Sequence, residues 1–402
     1  MSNLLFGKVY YQDNFAGFLR EEPGQGSSFC YDSNYLVAKL PPISYTLPLR
    51  ETAYVCPLGL LPFFDNLVAE GWLETVQMRL LGKRQASRFE LLLGFGFDLA
   101  GAVSVIDPTP IKHTKNLLDL SDPKEMASLT SRSSLSGIQP KITLIYKNNR
   151  FFPTQDGELS THIAKFPSLH HADLVSNEYL TTMAFKKLID DDVVDMHLGK
   201  VEGFPDPVLI IKRFDRDHLG GRIHFEEFNQ LLNFPSGAKY DGSYKMMSDF
   251  ILTSSVTIPT ESYRLYLRIL AGLLLGNTDM HLKNFAMLHT PQGLRLSPTY
   301  DQVASALYQY KTIALFLANV PNLRLGNLKP DHLIRLGLEF NLPLSAIDMA
   351  FQTLQKNKAA ALEAIFSASL GHSTLKNQII QLLEKRWNGS FALIGKHLSK
   401  KL

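Results

Sequence analysis

The pattern of hydrophobic and polar residues divides this chain into a strand-rich first half and a helical second half. Short runs with strand character recur early, as in KVYYQDNFAGFLRE at 8–21, KITLIYKNN at 141–149 and THIAKFPS at 161–168. From Phe225 onward, apolar residues return every three or four positions, as in ESYRLYLRILAGLLLG at 261–276, which is the spacing of a packed helix. The pattern predicts an α+β protein with a β-rich part followed by an all-α lobe.

Four segments follow from this change of pattern. The strand VLIIKRFDRD at 208–217 lies between the two kinds of pattern and serves as a hinge. A small β-rich lobe, a hinge strand and a large helical lobe together are the outline of a two-lobed kinase. The predicted boundaries are 1–106 for a small α+β N-terminal subdomain, 107–133 for a linker rich in proline and hydroxyl residues, 134–217 for the small lobe, and 218–402 for the large lobe.

The most informative stretch is the polar segment NTDMHLKN at 277–284, which follows the apolar helical run directly. Asp279 and Asn284 are five residues apart, a spacing that a helix would not stack on one face but that a loop can bring together. Phosphoryl transfer needs a carboxylate for the incoming hydroxyl and oxygen ligands for Mg²⁺. We therefore predict Asp279 as the catalytic base, with Asn284 and the later Asp301 as metal ligands.

Two alternatives stay open for this segment. Asp and Asn also cap helices and turns, so Asp279 and Asn284 taken alone are compatible with a purely structural role. His281 lies two residues after Asp279, where it either contacts a phosphate or pins the loop by hydrogen bonds.

A lysine on a strand is the second requirement for a bound nucleotide, because its ammonium group meets the phosphates. Lys165 lies between Ala164 and Phe166 on an apolar strand, where a lysine is otherwise costly. Glu178 on the next predicted helix is its expected partner, and Lys141 is a second candidate cation. The alternative is an edge-strand lysine and a solvated glutamate.

The segment SLSGIQPK at 134–141 precedes a strand and lacks the spacing of the Walker phosphate loop. Its Ser134, Ser136 and Gly137 could still present backbone N–H groups and hydroxyls to a phosphate. The serines could also accept a phosphate themselves. A plain polar turn is the alternative.

Composition limits the other possibilities. With 41 Lys and Arg against 38 Asp and Glu, the net charge of +3 is too small to argue for nucleic-acid binding over most of the surface. The apolar runs are shorter than the ~20 residues that span a bilayer, and the start of the chain does not resemble a signal peptide. Cys30 and Cys56 are the only cysteines, which excludes a disulfide framework. We expect no membrane partner and a location in a reducing cytoplasm.

Taken in order, these blocks resemble the HipA toxin kinases of bacterial toxin–antitoxin modules. The resemblance rests on LPFFDNLVAEGW at 61–72, GFDLAGAVSV at 96–105, SLSGIQPK, THIAKFP, SNEYL, IKRFDR, NTDMHLKN and PTYDQ. It implies a fold like that of phosphatidylinositol 3/4-kinases and an ATP- and Mg²⁺-dependent serine/threonine protein kinase. The N-terminal subdomain, a separate protein in some relatives, is here fused to the kinase.

The resemblance also assigns roles to residues. It implies autophosphorylation at Ser134 or Ser136, a catalytic Asp279, and Mg²⁺ ligands at Asn284 and Asp301. The implied nucleotide contacts are Ser136, Gly137, Gln139, Lys141, Lys165, Lys212, Phe214, His281 and Asn284.

Partners follow from the same resemblance. It implies a HipB-like helix-turn-helix antitoxin, operator DNA bound mainly through that antitoxin, and an aminoacyl-tRNA synthetase as the phosphorylated protein, so that translation stalls and growth stops. Two alternatives remain, an antitoxin-bound corepressor with little kinase activity and a kinase of lipids or small molecules.

Overall fold

The computed structural model describes residues 4–109, 124, 133–134, 139–167, 171 and 173–398. The described chain forms two compact units. The first comprises Met1–Ser168 and Asp195–Gly237, and the second comprises Leu169–Val194 and Ala238–Leu402. The predicted Ser136 and Gly137 lie outside the described residues.

Strands and short helices alternate in the first unit. Its strands are β1 (Phe6–Tyr11), β2 (Asn14–Glu22), β3 (Gly26–Tyr31), β4 (Tyr54–Cys56), β5 (Val103–Ile106), β6 (Lys141–Lys147), β7 (Arg150–Pro153), β8 (His162–Lys165), β9 (Met196–Gly199), β10 (Val208–Lys212) and β11 (Phe225–Glu227). Its helices are α1 (Ser33–Val37), α2 (Pro62–Asp65), α3 (Gly71–Leu80) and α4 (Arg88–Phe95), with α6 (Phe228–Leu231) after β11.

Two antiparallel sheets organise this unit. The first has the order β4-β3-β2-β1-β5, and α2 to α4 contribute Phe63, Phe64 and Leu92 to the core that it covers. The second has the order β7-β6-β8-β10-β9. Alternate residues of its strands, among them Leu144 and Ile210, form a separate small core. The predicted strand-like runs are present in these sheets, with β1 and β2 in the first and β6 and β8 in the second.

A buried ionic cluster joins the segment before β5 to the segment after β10. Asp98 accepts from Arg216 Nη2 at 2.7 Å and lies 3.3 Å from Arg213 Nη1. Asp215 lies 2.6 Å from Arg213 Nη2 and 2.9 Å from Arg216 Nη1. The Gly101 N–H also donates to the Asp215 carboxylate, at 2.8 Å. Burial by itself would raise the pKa of Asp98, but the two guanidinium groups outweigh it and hold that pKa below its usual range.

Helices dominate the second unit. They are α5 (Leu174–Ile189), α7 (Tyr244–Thr253), α8 (Glu261–Leu275), α9 (Pro330–Glu339), α10 (Leu344–Ser367), α11 (Ser373–Gly389) and α12 (Ile394–Leu398). Most of α8 is buried, as its run of leucines at helical spacing predicts. None of the helices in the described ranges combines the length and the apolar character needed to cross a membrane.

One expectation for this unit is corrected. The all-α lobe predicted from the sequence contains a β-hairpin, β12 (Ala286–Thr290) and β13 (Gly293–Leu296). Residues Met287, Leu294 and Leu296 are buried, so the hairpin packs its apolar side inward as a half-buried antiparallel pair does.

Candidate active site

Helix α8 ends where the polar segment begins, and glycine makes that end possible. Gly276 has φ +82°, a left-handed conformation, and a Cβ there would lie 2.3 Å from Leu382 Cδ2. The Asn277 N–H then donates back to the Gly272 carbonyl at 2.8 Å. A Cβ at Gly272 would lie 2.3 Å from Met280 Sδ, so the missing side chain lets the loop fold onto the helix.

Asn277 and Thr278, which the predicted site did not include, hold this loop in place. Asn277 Oδ1 accepts from the Asp279 N–H at 3.1 Å, and the Asn277 amide donates to Gln302 Oε1 at 3.2 Å. The Thr278 N–H donates to Ser305 Oγ at 2.8 Å. The start of the segment 277–284 is thereby tied to the residues shortly after Asp301. The sequence signal that could have identified Asn277 and Thr278 is a pair of polar residues directly after an apolar helix.

Asp279 is exposed, although the residues on either side of it are buried. Its Oδ1 accepts from the Tyr240 hydroxyl at 2.9 Å. Loss of hydration raises the pKa of Asp279; the Tyr240 hydrogen bond and the charge of Lys239 oppose that rise, and the nearby Asp301 adds to it. A carboxylate with a raised pKa that stays open to solvent has the properties of a general base.

The remainder of the loop is a short 3₁₀ turn, Leu282–Asn284, closed by side chains. Asn284 Oδ1 accepts from the His281 N–H at 3.0 Å, and His281 Nδ1 accepts from the Lys283 N–H at 3.2 Å. His281 therefore pins the loop, as one of the two alternatives expected, while a phosphate contact stays a prediction. An amide oxygen has a second lone pair, so Asn284 can still serve as a metal ligand.

Asp301 is half-buried and has φ +53°. Left-handed backbone at a residue other than glycine is uncommon and gathers at functional sites. The segment around it is fixed from both sides. The Tyr300 hydroxyl donates to the Lys283 carbonyl at 2.9 Å, and Arg268 on α8 donates to the Ser297 carbonyl at 2.7 Å. The second unit thus brings Asp279, Asn284 and Asp301 to one end of α8, and their carboxylate and amide oxygens are the donors that Mg²⁺ prefers.

Two lysines meet in the first unit. Lys141 on β6 and Lys165 on β8 are directly opposite each other, and each is only 6% exposed. Opposing residues of an antiparallel pair share one face, where two like charges are unfavourable unless anions compensate them. The phosphates of a nucleotide are such anions. Gln139, just before β6, donates to the Phe166 carbonyl at 2.8 Å.

The hinge residues are placed differently. Lys212 is opposite His162 on β8, three positions from the Lys165 register, so its side chain is on the other face of the sheet. Its N–H donates to the Asp195 carbonyl at 2.9 Å. The Phe214 ring packs against Phe225 with centroids 4.8 Å apart. The structure does not bring Lys212 to the face that carries the two buried lysines.

Ser134 is 2% exposed, and its Oγ has no hydrogen-bond partner among the described residues. Its N–H donates to the Asp98 carbonyl at 3.4 Å. The preceding Ser133 is held by Thr143 Oγ1 at 3.0 Å and by the Gln77 amide at 3.0 Å. Phosphorylation of Ser134 would therefore require this segment to leave its position. Glu178 is buried on α5 of the second unit, and its pairing with Lys165 stays a prediction.

Comparison with known proteins identifies the family. Residues 133–365 match the model of the HipA-like C-terminal domain, and residues 7–106 match that of the HipA N-terminal domain. The chain belongs to the HipA family. The resemblance found in its motifs is confirmed, including the fusion of both domains in one chain.

Similar proteins and a solved structure agree with membership of this family. The serine/threonine-protein kinase toxin HipA of Shewanella oneidensis is 30% identical over 304 residues, 67% of this chain and 68% of the relative. The putative kinase Y4dM of Sinorhizobium fredii is 28% identical over 386 residues, 89% of this chain and 87% of the relative. A solved complex of Shewanella oneidensis HipA with HipB and operator DNA matches with a TM-score of 0.76 at 22% identity, covering 96% of this chain and 99% of that one. The two chains therefore share a fold.

Proposed function

We propose that this HipA-family protein is an ATP- and Mg²⁺-dependent serine/threonine protein kinase with a phosphatidylinositol 3/4-kinase-like, two-lobed fold, acting as the toxin of a bacterial toxin–antitoxin module. The observation that carries the proposal is the loop after α8, which positions Asp279 by Asn277 and ties it to the Asp301 segment. A carboxylate, an amide and a second carboxylate in this order are the parts that phosphoryl transfer uses.

Each residue has a role in the proposed transfer. Asp279 accepts the proton of the serine or threonine hydroxyl as its oxygen attacks the γ-phosphorus, and the bond to the departing ADP oxygen breaks. Lys165 and Lys141 meet the negative charge of the phosphates. Asn284 and Asp301 would hold Mg²⁺, which supplies neutralisation of the charge that develops on the phosphate oxygens.

The proposed target is a protein, specifically an aminoacyl-tRNA synthetase, whose phosphorylation would stall translation and arrest growth in the bacterial cytoplasm. We further propose that autophosphorylation at Ser134 or Ser136 switches the kinase off, because Ser134 would have to leave its buried site to be modified.

A HipB-like helix-turn-helix antitoxin is the proposed regulatory partner. The Shewanella oneidensis structure contains HipA with HipB and operator DNA, which supports this assignment. The net charge of +3 of the present chain leaves the contacts to DNA mainly to the antitoxin.

The test is phosphoryl transfer by the purified full chain. Wild type with γ-labelled ATP and Mg²⁺ is expected to label itself and a protein of a host lysate, which mass spectrometry identifies by new phosphoserine or phosphothreonine. Asp279→Asn should lose about three orders of magnitude or more of that labelling, because the base and its charge are removed. Asp249→Asn is the matched control, since it removes an aspartate from an exposed pair with Lys245 on α7.

Other outcomes point elsewhere. Equal labelling by wild type and Asp279→Asn would sink the assignment of the base. Absence of transfer from dephosphorylated wild type would favour a corepressor that acts through the antitoxin without kinase activity. Labelling of a small hydroxyl compound but of no protein would favour a kinase of lipids or metabolites.

A further inference from the structure

Tyr240, in the segment AKYDGSY at 238–244 of the second unit, donates a side-chain hydrogen bond to Asp279. We propose that Tyr240 is a placeholder for the acceptor hydroxyl: its phenol takes the position on Asp279 Oδ1 that the substrate serine or threonine later takes, and so keeps a water molecule from that one position while the rest of the carboxylate stays open to solvent. The inference rests on the proposed kinase function. It makes Tyr240 a positioning residue that restricts the acceptor rather than a group that reacts.

The geometry of the contact is that of a substrate with its base. The Tyr240 hydroxyl donates to Asp279 Oδ1 at 2.9 Å. A serine hydroxyl about to be deprotonated makes the same kind of O–H to carboxylate hydrogen bond, within the same range of distances. Only one of them can occupy that lone-pair direction of Oδ1 at a time, so binding of the acceptor requires the phenol to leave.

The surroundings of Tyr240 allow that movement. Its side chain is 42% exposed, and its ring meets the edge of His281 at a centroid distance of 5.0 Å. The backbone is fixed nevertheless, because the Leu282 N–H donates to the Lys239 carbonyl at 3.2 Å. A rotation about the side-chain bonds would release Asp279 without disturbing the loop.

Tyr244, four residues further, shows what a structural tyrosine looks like in the same segment. It is completely buried, and its hydroxyl donates to the Met280 carbonyl at 3.2 Å. Its ring cannot leave without opening the core, whereas the ring of Tyr240 faces solvent on one side. The two tyrosines therefore share a segment and a neighbouring loop but differ in their freedom to move.

A placeholder on Asp279 would prevent the hydrolysis of ATP by water. If the position on Asp279 Oδ1 were free while ATP is bound, a water molecule could occupy it and attack the γ-phosphorus. One proton of that water would pass to Asp279, and the bond to ADP would break. The products would be ADP and inorganic phosphate, with ATP consumed and no protein modified. A phenol on Asp279 Oδ1 excludes a water molecule from that position until a hydroxyl on a larger, specifically bound acceptor displaces it.

The experiment compares release of inorganic phosphate from Mg-ATP, without added acceptor, by wild type, Tyr240→Phe and Tyr310→Phe. The phenylalanine keeps the ring against His281 and removes only the hydroxyl. We expect Tyr240→Phe to hydrolyse ATP about five-fold faster or more than wild type, the change that one net hydrogen bond controls. Its labelling of host-lysate protein should stay at or above the wild-type level.

Tyr310→Phe is the matched control. Tyr310 is 59% exposed, and it is its carbonyl, not its phenol, that contacts the loop by accepting from Thr278 Oγ1 at 2.8 Å. Loss of its hydroxyl should leave hydrolysis unchanged. Asp279→Asn combined with Tyr240→Phe should abolish the added hydrolysis, because the water then has no base.

The results separate the two ideas. If wild type labels no protein, the proposed protein-kinase function is wrong, whatever the effect of Tyr240→Phe. Wild type that labels protein while Tyr240→Phe hydrolyses ATP no faster than wild type overturns the placeholder. A parallel fall in hydrolysis and labelling in Tyr240→Phe, with an unchanged melting temperature, also overturns it, since the phenol would then assist the base throughout.

Discussion

Two pairs of aspartates in this protein differ in their burial and in the charge of the groups around them. In the first unit, Asp98 and Asp215 face two arginines, and all four side chains are at most 5% exposed. In the second unit, Asp279 is exposed and Asp301 is half-buried, and the groups that fix the loop around them are mainly neutral amides and hydroxyls.

The pKa values record the difference. Loss of hydration raises the pKa of both Asp98 and Asp279. The arginines reverse this effect on the pKa of Asp98, whereas the charge of Asp301 adds to it at Asp279. Asp98 and Asp215 are paired with buried arginines, so their charges stabilise the folded chain. Asp279, positioned by the neutral Asn277 and Tyr240, keeps its negative charge available for a proton, which is what a general base requires.

The largest effect is expected from Asp301→Asn. Removing this charge should lower Mg²⁺-dependent transfer about a thousand-fold, because the proposed oxygen ligand for the metal loses its charge. The variant should remain folded, since asparagine keeps the size of the side chain and readily adopts the left-handed backbone of residue 301. Transfer rates over a series of Mg²⁺ concentrations and a thermal melt measure both effects. A variant that melts at a much lower temperature but transfers phosphate at the wild-type rate would show that Asp301 is a structural residue and not a catalytic one.

A large change in stability is expected from Asp98→Ala. The two guanidinium groups of Arg213 and Arg216 would lose a buried partner, and the free energy of unfolding should fall by about 3–5 kcal/mol. Urea unfolding followed by circular dichroism measures it. Glu202→Gln, in the exposed pair with Arg150, is the control and should change the same quantity by less than about 0.5 kcal/mol. Equal losses in both variants would show that the buried cluster is not structural.

A moderate effect is expected from the two buried lysines. Lys165→Met and Lys141→Met should each weaken ATP binding about ten- to hundred-fold, because a charge-assisted contact with a phosphate is lost. Titration calorimetry gives the dissociation constants. Lys147→Met, at the exposed end of β6 beside Glu158, is the matched control and should bind as wild type does. Comparable weakening in the control would remove the case for a phosphate site on this face.

The smallest effect concerns pH. The folded pKa of Asp98 is lowered, so its stabilisation is complete above the unfolded value of about 3.9 and is lost as the pH falls through the folded value. The folded pKa of Asp279 is raised, so ionising it in the folded chain costs stability as the pH rises. The free energy of unfolding, measured with urea from pH 3 to pH 8, tests both statements. In Asp98→Asn its decrease toward acid pH should become smaller than in wild type. In Asp279→Asn its value at neutral pH should be higher than in wild type. The same slope in both variants would contradict the assignment.

The sequence alone determined the local elements and the family. The spacing of apolar residues predicted α8, because helix periodicity is a property of neighbouring residues. It was less successful where patterns are short. The run after Phe225 was predicted as helix but begins with the strand β11, and the hairpin of β12 and β13 was absorbed into an all-α lobe. Runs of four or five apolar residues fit either structure, so packing decides between them.

Only the tertiary structure decided which polar residues work together. Asp98 and Arg213 are 115 residues apart in the chain, and Thr278 and Ser305 are 27 apart, so no local pattern relates them. The same holds for Lys141 and Lys165, whose opposition depends on strand register, and for Lys212, which register places on the other face. The sequence determined that Asp279, Asn284 and Asp301 are present in a kinase-like order. The tertiary structure decided which neighbours position them: Asn277 holds the backbone of Asp279, and the Tyr240 hydroxyl bonds to Asp279 Oδ1. Long-range packing brings these groups together.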